Sequence, residues 1–204
     1  MLASQLHRNI YSFWFKGFKN GAPLTQDLTK TWFGGGEVDN YCRANYAAVL
    51  EDIRENRSYI EEMKQSPEYA LTLTILLDQF PRNIYRKTAI PFRDFDPLAL
   101  QVAHYAINYK FDEKLNAIER LFLYMAKHSE SNSDQESSVE KFKWNHETAL
   151  PLYAQMTKSF YEYAKSHKSI IDQFGRFPHR NNILGRESSI EEIEFLKTAD
   201  FFGQ

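Results

Sequence analysis

The sequence predicts an all-α fold formed by a single domain over residues 1–204. Three observations lead to this prediction. Apolar residues recur every three or four positions along most of the chain, which is the period of one helical face. Residues 70–77 are apolar on nearly all sides, which predicts a helix at the centre of the protein. No segments with strand-like alternation flank a hairpin turn signal.

Helix signals follow one another along the chain. The first long amphipathic stripe covers residues 38–53. Asp96 and Asp112 belong to a residue type that caps helix N-termini, so each predicts a helix start. A long helix is predicted from near Pro151 to the position before Gly175, which can adopt the left-handed conformation that ends many helices.

Two further signals concern helix ends. Pro81 disfavours helical conformation at Phe80, so the central helix is predicted to end or kink there. Ser188 and Ser189 each stand three residues before a glutamate. Either pair makes a capping box, which predicts a last short helix near the C-terminus.

Two segments are interpreted as loops from their composition. Residues 34–36 are three glycines, and because no Gly-Lys-Ser/Thr follows them they are not a phosphate-binding P-loop. We interpret them as a turn, with Trp32 and Phe33 packed on the core before it. Residues 129–138 are rich in serine and acidic residues, a composition typical of a mobile linker.

The composition excludes several classes of partner and site. The chain has 25 Lys and Arg residues against 27 Asp and Glu residues, so no net field favours nucleic acid or an anionic membrane. Cys42 is the single cysteine, which excludes an internal disulfide and a cysteine-based zinc site, and we expect it to be packed and unreactive. The N-terminal apolar stretch is too short to span a membrane. We therefore expect a soluble, cytoplasmic protein.

The most informative feature is a pair of similar motifs far apart in the chain. Residues 78–83 read DQFPRN, and residues 172–181 read DQFGRFPHRN. Each motif follows an apolar helical segment and places an aspartate four residues before an arginine. Polar groups at the end of a buried segment are costly unless they satisfy one another or hold a ligand. We therefore predict that the two motifs meet in space and form a polar site.

The arginines of this site suit carboxylate or phosphate groups, because the guanidinium fork binds two oxygens at once. The candidate ligand-binding residues are Arg82, Asn83, Arg86, Asp134, Arg176, Arg180, Asn181 and Arg186. Since the arginines outnumber the acids of the two motifs, we expect an uncompensated positive pocket. The structural alternative is that Asp78 and Asp172 neutralise arginines in a contact between helices, and a third reading is an interaction surface.

Three residues are candidates for acid–base catalysis. His128, Glu130 and His179 could transfer protons, with the two histidines at the rim of the pocket, while the arginines hold a charged substrate. Their spacing matches no helix-borne metal motif, so we predict neither a metal nor another cofactor. His167 lies on an apolar stripe and is interpreted as a core histidine.

Five ordered motifs resemble the uncharacterised bacterial domain-of-unknown-function family 924. They are residues 76–83, 95–100, 128–130 together with 134–136, 174–181 and 184–186. The resemblance covers essentially the whole chain and implies a tetratricopeptide-like fold of stacked antiparallel helix pairs. It also implies that residues 129–138 are folded and take part in the site, against their linker-like composition. The family implies no established activity.

Two functions of different classes remain open. The first is binding of a small anionic molecule, with or without catalysis, in a closed pocket. The second is a tetratricopeptide-like scaffold whose arginines grip an acidic peptide or a partner protein in an open groove. The direction in which the polar groups point distinguishes the two functions.

Overall fold

The computed structural model describes residues 3–56 and 58–198. Helices make up most of these residues, and the described ranges contain no β-strand. The all-α prediction is therefore confirmed for these residues. No helix within them is both long enough and apolar enough to cross a membrane. The α-helices are α1 (Ala3–Phe15), α2 (Gln26–Phe33), α3 (Glu37–Asn56), α4 (Ser58–Met63), α5 (Pro67–Ile84), α6 (Asp96–Asn108), α7 (Ala117–Met125), α8 (Asn132–Thr148), α9 (Ala154–Phe174), α10 (Asn181–Leu184) and α11 (Ile190–Leu196). A π-helical turn covers Pro91–Phe95, and 3₁₀ turns cover Asp112–Lys114, Pro151–Tyr153 and Pro178–Arg180.

The central helix of the protein is α5, as the sequence predicts. Every residue from 70 to 81 is buried, and Leu76 is fully inaccessible to solvent. The helix begins after Ser66, whose hydroxyl accepts a hydrogen bond from the backbone N–H of Tyr69. Because α5 packs against α1, α3, α6 and α7, it fixes the relative positions of the elements that carry the polar site.

Neighbouring helices run antiparallel in two pairs. In α8 and α9, the ring of Phe142 stacks on Phe160, and the ring of His146 lies 3.1 Å from the hydroxyl of Thr157. The order of contacts is therefore reversed between the two helices. α3 and α5 contact each other in the same reversed order. A regular tetratricopeptide-like superhelix stays a prediction.

Of the two outcomes predicted at Phe80, a helix end is wrong, because α5 continues through Pro81 to Ile84, and a kink stays a prediction. Proline inside a helix removes a backbone hydrogen bond and costs about 3 kcal/mol or more. Here Phe80 and Pro81 are both buried, and the carbonyl of Pro81 still accepts a hydrogen bond from the backbone N–H of Tyr85 at 2.8 Å. Packing of this turn on its neighbours outweighs the local preference and extends the polar face of α5.

The two aspartates predicted to cap helices bind other side chains with their carboxylates. Helix α6 begins at Asp96 as expected, but its carboxylate binds Arg82 and makes no side-chain cap. Asp112 does not cap α7, because it lies in the 3₁₀ turn before this helix. Its buried carboxylate accepts a hydrogen bond from the hydroxyl of Tyr124 at 2.8 Å. Asn116 caps α7 instead, in a capping box. Tertiary partners therefore decide where these carboxylates bind.

The helix-end signals of the C-terminal segment are confirmed. Helix α9 ends at Phe174, and Gly175 follows in the left-handed conformation with φ of 67°. Ser189 caps α11 in a capping box with Glu192, so the second of the two predicted serine–glutamate pairs is used. These signals depend on a few adjacent residues, which is why the sequence predicts them well.

Three interpretations from composition have different outcomes. The linker interpretation of residues 129–138 is wrong, because α8 begins within them and buries Gln135 and Ser138. Trp32 is buried as expected, but Phe33 is 56% exposed and does not pack into the core. Cys42 is buried, and burial raises the pKa of its thiol to about 12, which makes it unreactive.

Candidate functional site

A stripe of polar residues follows the last turns of α5 and continues to Arg86, just beyond the end of the helix. Gln79, Arg82, Asn83 and Arg86 stand at the spacing of one helical face, and all of them line a cavity of about 760 Å³. The other walls come from the end of α2, the segment before α6, the end of α7 and residues 179–183. The cavity therefore lies where the central helix meets four other parts of the chain.

The two similar motifs meet at Asp96. Arg82 of the first motif donates two hydrogen bonds to the Asp96 carboxylate, from Nη1 to Oδ1 at 2.8 Å and from Nη2 to Oδ2 at 3.1 Å. Arg180 of the second motif places its Nη1 3.8 Å from Asp96 Oδ2. Both guanidinium groups also lie over the ring of Phe92, at 5.8 Å and 4.8 Å from its centroid. The sequence-based expectation that the motifs converge is confirmed by these contacts.

Arg180 is the buried cation of the cavity. Its guanidinium lies between Phe92 and Phe177, 4.8 Å and 4.6 Å from the two ring centroids. Its Nη1 donates to the backbone carbonyl of His128 at 3.2 Å, while its Nε has no hydrogen-bond partner in the described structure. Burial lowers the pKa of Arg180 to about 10, so the group stays charged at neutral pH.

Asp78 lies behind the cavity wall and is almost fully buried. Its carboxylate accepts hydrogen bonds from the side-chain amide of Gln79, and it lies 3.1 Å from Nη1 of Arg82. Burial raises the pKa of Asp78 above its usual range. Burial also disfavours the charge on Arg82, but Asp78 and Asp96 outweigh this and raise the pKa of the guanidinium.

Arg86 marks the outer end of the polar stripe. It donates to the two carboxylate oxygens of Asp39 in α3 at 2.6 Å and 2.9 Å, and to Oδ1 of Asn83 at 3.2 Å. A Cβ added to Gly35 would lie 3.1 Å from Nη2 of Arg86, so the glycine turn permits this close approach. The acid that compensates Arg86 therefore comes from another helix, not from the motifs.

Three histidines lie close to Arg180. The rings of His128 and His167 are 5.0 Å apart, and Nδ1 of His128 is buried without a hydrogen-bond partner among the described residues. Burial, then His167, Arg82 and Arg180, lowers the pKa of His128 well below 6.5. Burial, then Arg180 and His179, lowers the pKa of His167 to about 4. His128 and His179 line the cavity, and His167 supports His128 from α9.

Glu130 and Arg186 do not line the cavity and bind each other. Glu130 accepts two hydrogen bonds from Arg186, at 2.7 Å and 3.0 Å, and a third from the backbone N–H of Phe177 at 2.8 Å. Burial raises the pKa of Glu130, but these donors lower it more, so the net shift is downward. Arg186 also donates to Asn181 Oδ1 and to the Phe177 carbonyl. Each of these polar groups has protein partners.

A second carboxylate completes this arrangement. Glu192 accepts from Arg176 at 2.7 Å and 2.9 Å and from the side-chain amide of Asn181 at 3.2 Å. The hydrogen bond from Arg176 lowers the pKa of Glu192 to about 2. We refer to the five residues Glu130, Arg176, Asn181, Arg186 and Glu192 as the C-terminal lock, because they fasten the segment after α9.

Asp134 lies at a different place in the fold. Its carboxylate is 2.7 Å from Nε2 of His104 in α6 and 3.7 Å from Nζ of Lys127, so it joins α8 to α6 and to the segment after α7. It is not among the residues that line the cavity. Across the described residues, no three or more His, Cys, Asp and Glu side chains form a group that could hold a metal ion.

Sequence reasoning missed several residues that shape the cavity. Asp39 and Asp96 supply the acids that pair with the stripe on α5, and Phe92 carries two guanidinium groups. The spacing of the stripe, with positions 79, 82, 83 and 86 on one helical face, is a signal that could have defined it. No sequence signal connects the stripe to Asp39, which lies 47 positions from Arg86.

Comparison with known proteins identifies one family model that covers most of the chain. The family model described as a bacterial protein of unknown function (DUF924) matches residues 10–200. A solved structure of a protein of unknown function from Agrobacterium tumefaciens is 29% identical, with a TM-score of 0.77 over 97% of this chain and 100% of that chain. Comparison with curated proteins gave no match. Because the family model covers most of the sequence, the chain belongs to the bacterial family DUF924.

Proposed function

We propose that the cavity binds a small anionic ligand through a carboxylate or phosphate group placed beside Arg180. One observation carries this proposal: Arg180 lines the cavity as a buried cation whose five N–H donors make a single hydrogen bond to a carbonyl among the described residues, with an ion-pair distance of 3.8 Å to Asp96. A buried donor without an acceptor costs free energy. A carboxylate or phosphate accepts two hydrogen bonds from such a guanidinium group.

The charge of the cavity wall supports an anion. Its cationic side chains are Arg82, Arg86, Lys87 and Arg180, and the described residues of the wall include no acid. The acids that compensate Arg82 and Arg86 lie behind them, in α6 and α3. A cavity whose wall carries cations, with the compensating acids outside the wall, favours a negatively charged ligand. The volume of about 760 Å³ also lies in the usual range of small-molecule sites.

We assign proton transfer with such a ligand to His128 and His179, which line the cavity. Burial keeps the pKa of His128 well below 6.5, so its ring is neutral at pH 7 and can accept a hydrogen bond. The negative charge of a bound ligand would raise this pKa and favour transfer of a proton to the ring. Glu130 is less suited to this role, because its two oxygens already accept from Arg186 and from the backbone of Phe177.

The scaffold alternative uses the same cavity. An acidic side chain or a C-terminal carboxylate of a peptide would approach Arg180 in place of a small molecule. The chemistry at the guanidinium group is the same in both cases, and the two differ in how much of the ligand lies outside the cavity. Binding of free small anions therefore separates them.

A thermal-shift and calorimetric screen of carboxylic and phosphorylated metabolites tests the proposal. A ligand at about a hundred times its dissociation constant adds about 2.7 kcal/mol to the free energy of unfolding. This gain should disappear in Arg180→Met, which keeps a long side chain between Phe92 and Phe177 but removes the charge. Arg8→Met is the matched control, because Arg8 is exposed on α1.

Two results would contradict the small-molecule proposal. The first is the absence of any shift with free carboxylates and phosphates while the protein remains folded. The second is a shift that Arg180→Met and Arg8→Met leave equally unchanged. Stabilisation by acidic peptides alone would support the scaffold function instead.

A further inference from the structure

We propose that the ligand is an aryl acid, with one carboxylate or phosphate group joined to an aromatic ring; this inference rests on the proposed function. It follows from the unequal chemistry of the cavity walls. One wall presents Arg180 and His128, and another presents Trp32 and Phe33. A ligand that contacts both walls needs an anionic group at one end and an apolar, ring-sized body at the other.

The cationic wall accommodates one buried anionic group. Arg82 and Arg86 each donate two hydrogen bonds to a single carboxylate, which belongs to Asp96 and Asp39 respectively. Lys87 is exposed to solvent, where an ion pair adds little affinity. The guanidinium group between the two phenyl rings is therefore the buried cation with unused hydrogen-bonding capacity. A second acid group on the ligand would gain no comparable partner.

The apolar wall offers aromatic surface that the fold leaves uncovered. Phe33 ends α2 and is 56% exposed, with its ring centroid 6.3 Å from Trp32 and 6.3 Å from Phe160. The indole Nε1 of Trp32 donates to the carbonyl of Trp14 at 2.8 Å, so its polar atom is already satisfied. A ligand ring packed here would bury apolar surface and add the attraction between aromatic rings.

The size of the cavity also favours an organic body over a bare ion. A volume of about 760 Å³ is comparable with the sites of drug-sized ligands, which are lined mainly by apolar and aromatic side chains with a few polar groups. An inorganic phosphate beside Arg180 would leave the exposed ring of Phe33 in water. An aryl acid would fill the space between the two walls.

Pairs of probes that differ only in the ring test this inference. Calorimetry compares phenyl phosphate with inorganic phosphate, and benzoate with acetate, on the full chain. We expect each aryl probe to bind about tenfold tighter or more than its partner. Phe33→Ala should lower the affinity for phenyl phosphate about tenfold while the affinity for inorganic phosphate stays unchanged. Tyr109→Ala is the matched control, because Tyr109 is 61% exposed and lies outside the cavity.

The outcomes separate this inference from the proposed function. If inorganic phosphate binds in a manner that depends on Arg180, and phenyl phosphate binds no tighter, the anion site stands and the aryl ligand is wrong. An aryl advantage that Phe33→Ala does not reduce also overturns the inference, because the ring then lies elsewhere. If none of the four probes binds, both proposals fail. Circular dichroism of Phe33→Ala should match the wild type, since the exposed ring contributes little to folding.

Discussion

The cavity at the end of α5 and the C-terminal lock both contain arginine and asparagine side chains, and both draw on the second of the two similar motifs. In the lock, Arg186 donates four hydrogen bonds to protein groups, and Glu130 accepts three. In the cavity, Arg180 donates one, and its Nε has no partner in the described structure. The two regions therefore differ in how completely the protein satisfies its own polar groups.

This difference distinguishes arginines that stabilise the fold from arginines that are available to bind a ligand. A guanidinium group whose donors all bind carboxylates and carbonyls holds segments of the chain together. A buried guanidinium group with an unused donor beside a cavity has a reason to bind something else. Arg176 and Arg186 belong to the first kind and Arg180 to the second, although all three lie in residues 175–186, directly after the end of α9.

The largest effect is expected in the helix that supports the cavity. Leu76→Ala should lower the free energy of unfolding by about 2–5 kcal/mol, because Leu76 is fully buried in the middle of α5. Urea denaturation measures this change. Leu152→Ala is the control, because Leu152 is 52% exposed and its loss should cost about 0.5 kcal/mol or less. A similar small loss for Leu76→Ala would contradict the central position of α5.

The next effect concerns the lock. Arg186→Ala should lower the free energy of unfolding by about 2–3 kcal/mol, because it leaves the half-buried carboxylate of Glu130 without its main partner. A double-mutant cycle with Glu130→Gln should show that the two losses do not add. Lys168→Ala, which removes an exposed pair with Asp172, should change stability by about 0.5 kcal/mol or less. Equal effects of Arg186→Ala and Lys168→Ala would show that the lock is not structural.

The two regions should also lose stability in different pH windows. His167 has a folded-state pKa of about 4 against an ordinary value of 6.5, so the unfolded chain binds its proton first as the pH falls. The stability linked to His167 is therefore complete above pH 6.5 and is lost between pH 6.5 and about 4. Glu192 has a folded-state pKa of about 2 against 4.5, so its contribution is complete above pH 4.5 and is lost towards pH 2.

Melting temperatures between pH 8 and pH 2 test these windows. His167→Gln should reduce the loss in the upper window without removing it, because burial also lowers the pKa of His128. Glu192→Gln should reduce the loss in the lower window, where Glu130 also contributes. Added phosphate should reduce the loss in the upper window if an anion binds beside Arg180 and the histidines. If each variant alters both windows equally, the cavity and the lock form one coupled unit, and the distinction between them fails.

The smallest effect on stability is expected at the cavity cation itself. Arg180→Met should change the free energy of unfolding by about 1 kcal/mol or less, because it removes a desolvated charge with one hydrogen bond to a carbonyl. It should also raise the pKa of His167, since Arg180 is one of the groups that lower it. Denaturation and NMR titration measure the two changes. A loss of about 3 kcal/mol or more would place Arg180 with the lock as architecture.

Much of the fold can be predicted from the sequence because its signals are local. The apolar run of α5, the left-handed Gly175 after α9 and the capping box of Ser189 and Glu192 each depend on a few adjacent residues. The convergence of the two motifs could also be predicted, because buried polar groups need partners. The end predicted at Phe80 and the cap predicted at Asp112 failed because tertiary contacts outweigh local preferences of a few kcal/mol.

The sequence alone predicts the helices, the buried centre and one polar site that gathers the charged residues of both motifs. The fold divides this site into the cavity and the lock, because the arginines bind acids from distant parts of the chain: Asp39 for Arg86, Asp96 for Arg82, and Glu130 for Arg186. Ion pairing depends on distances of about 3 Å between side-chain atoms, and neither residue type nor spacing in the sequence specifies such distances across the fold. The fold also leaves Arg180 incompletely paired beside a cavity, and this incomplete pairing is the feature that supports the proposed ligand binding.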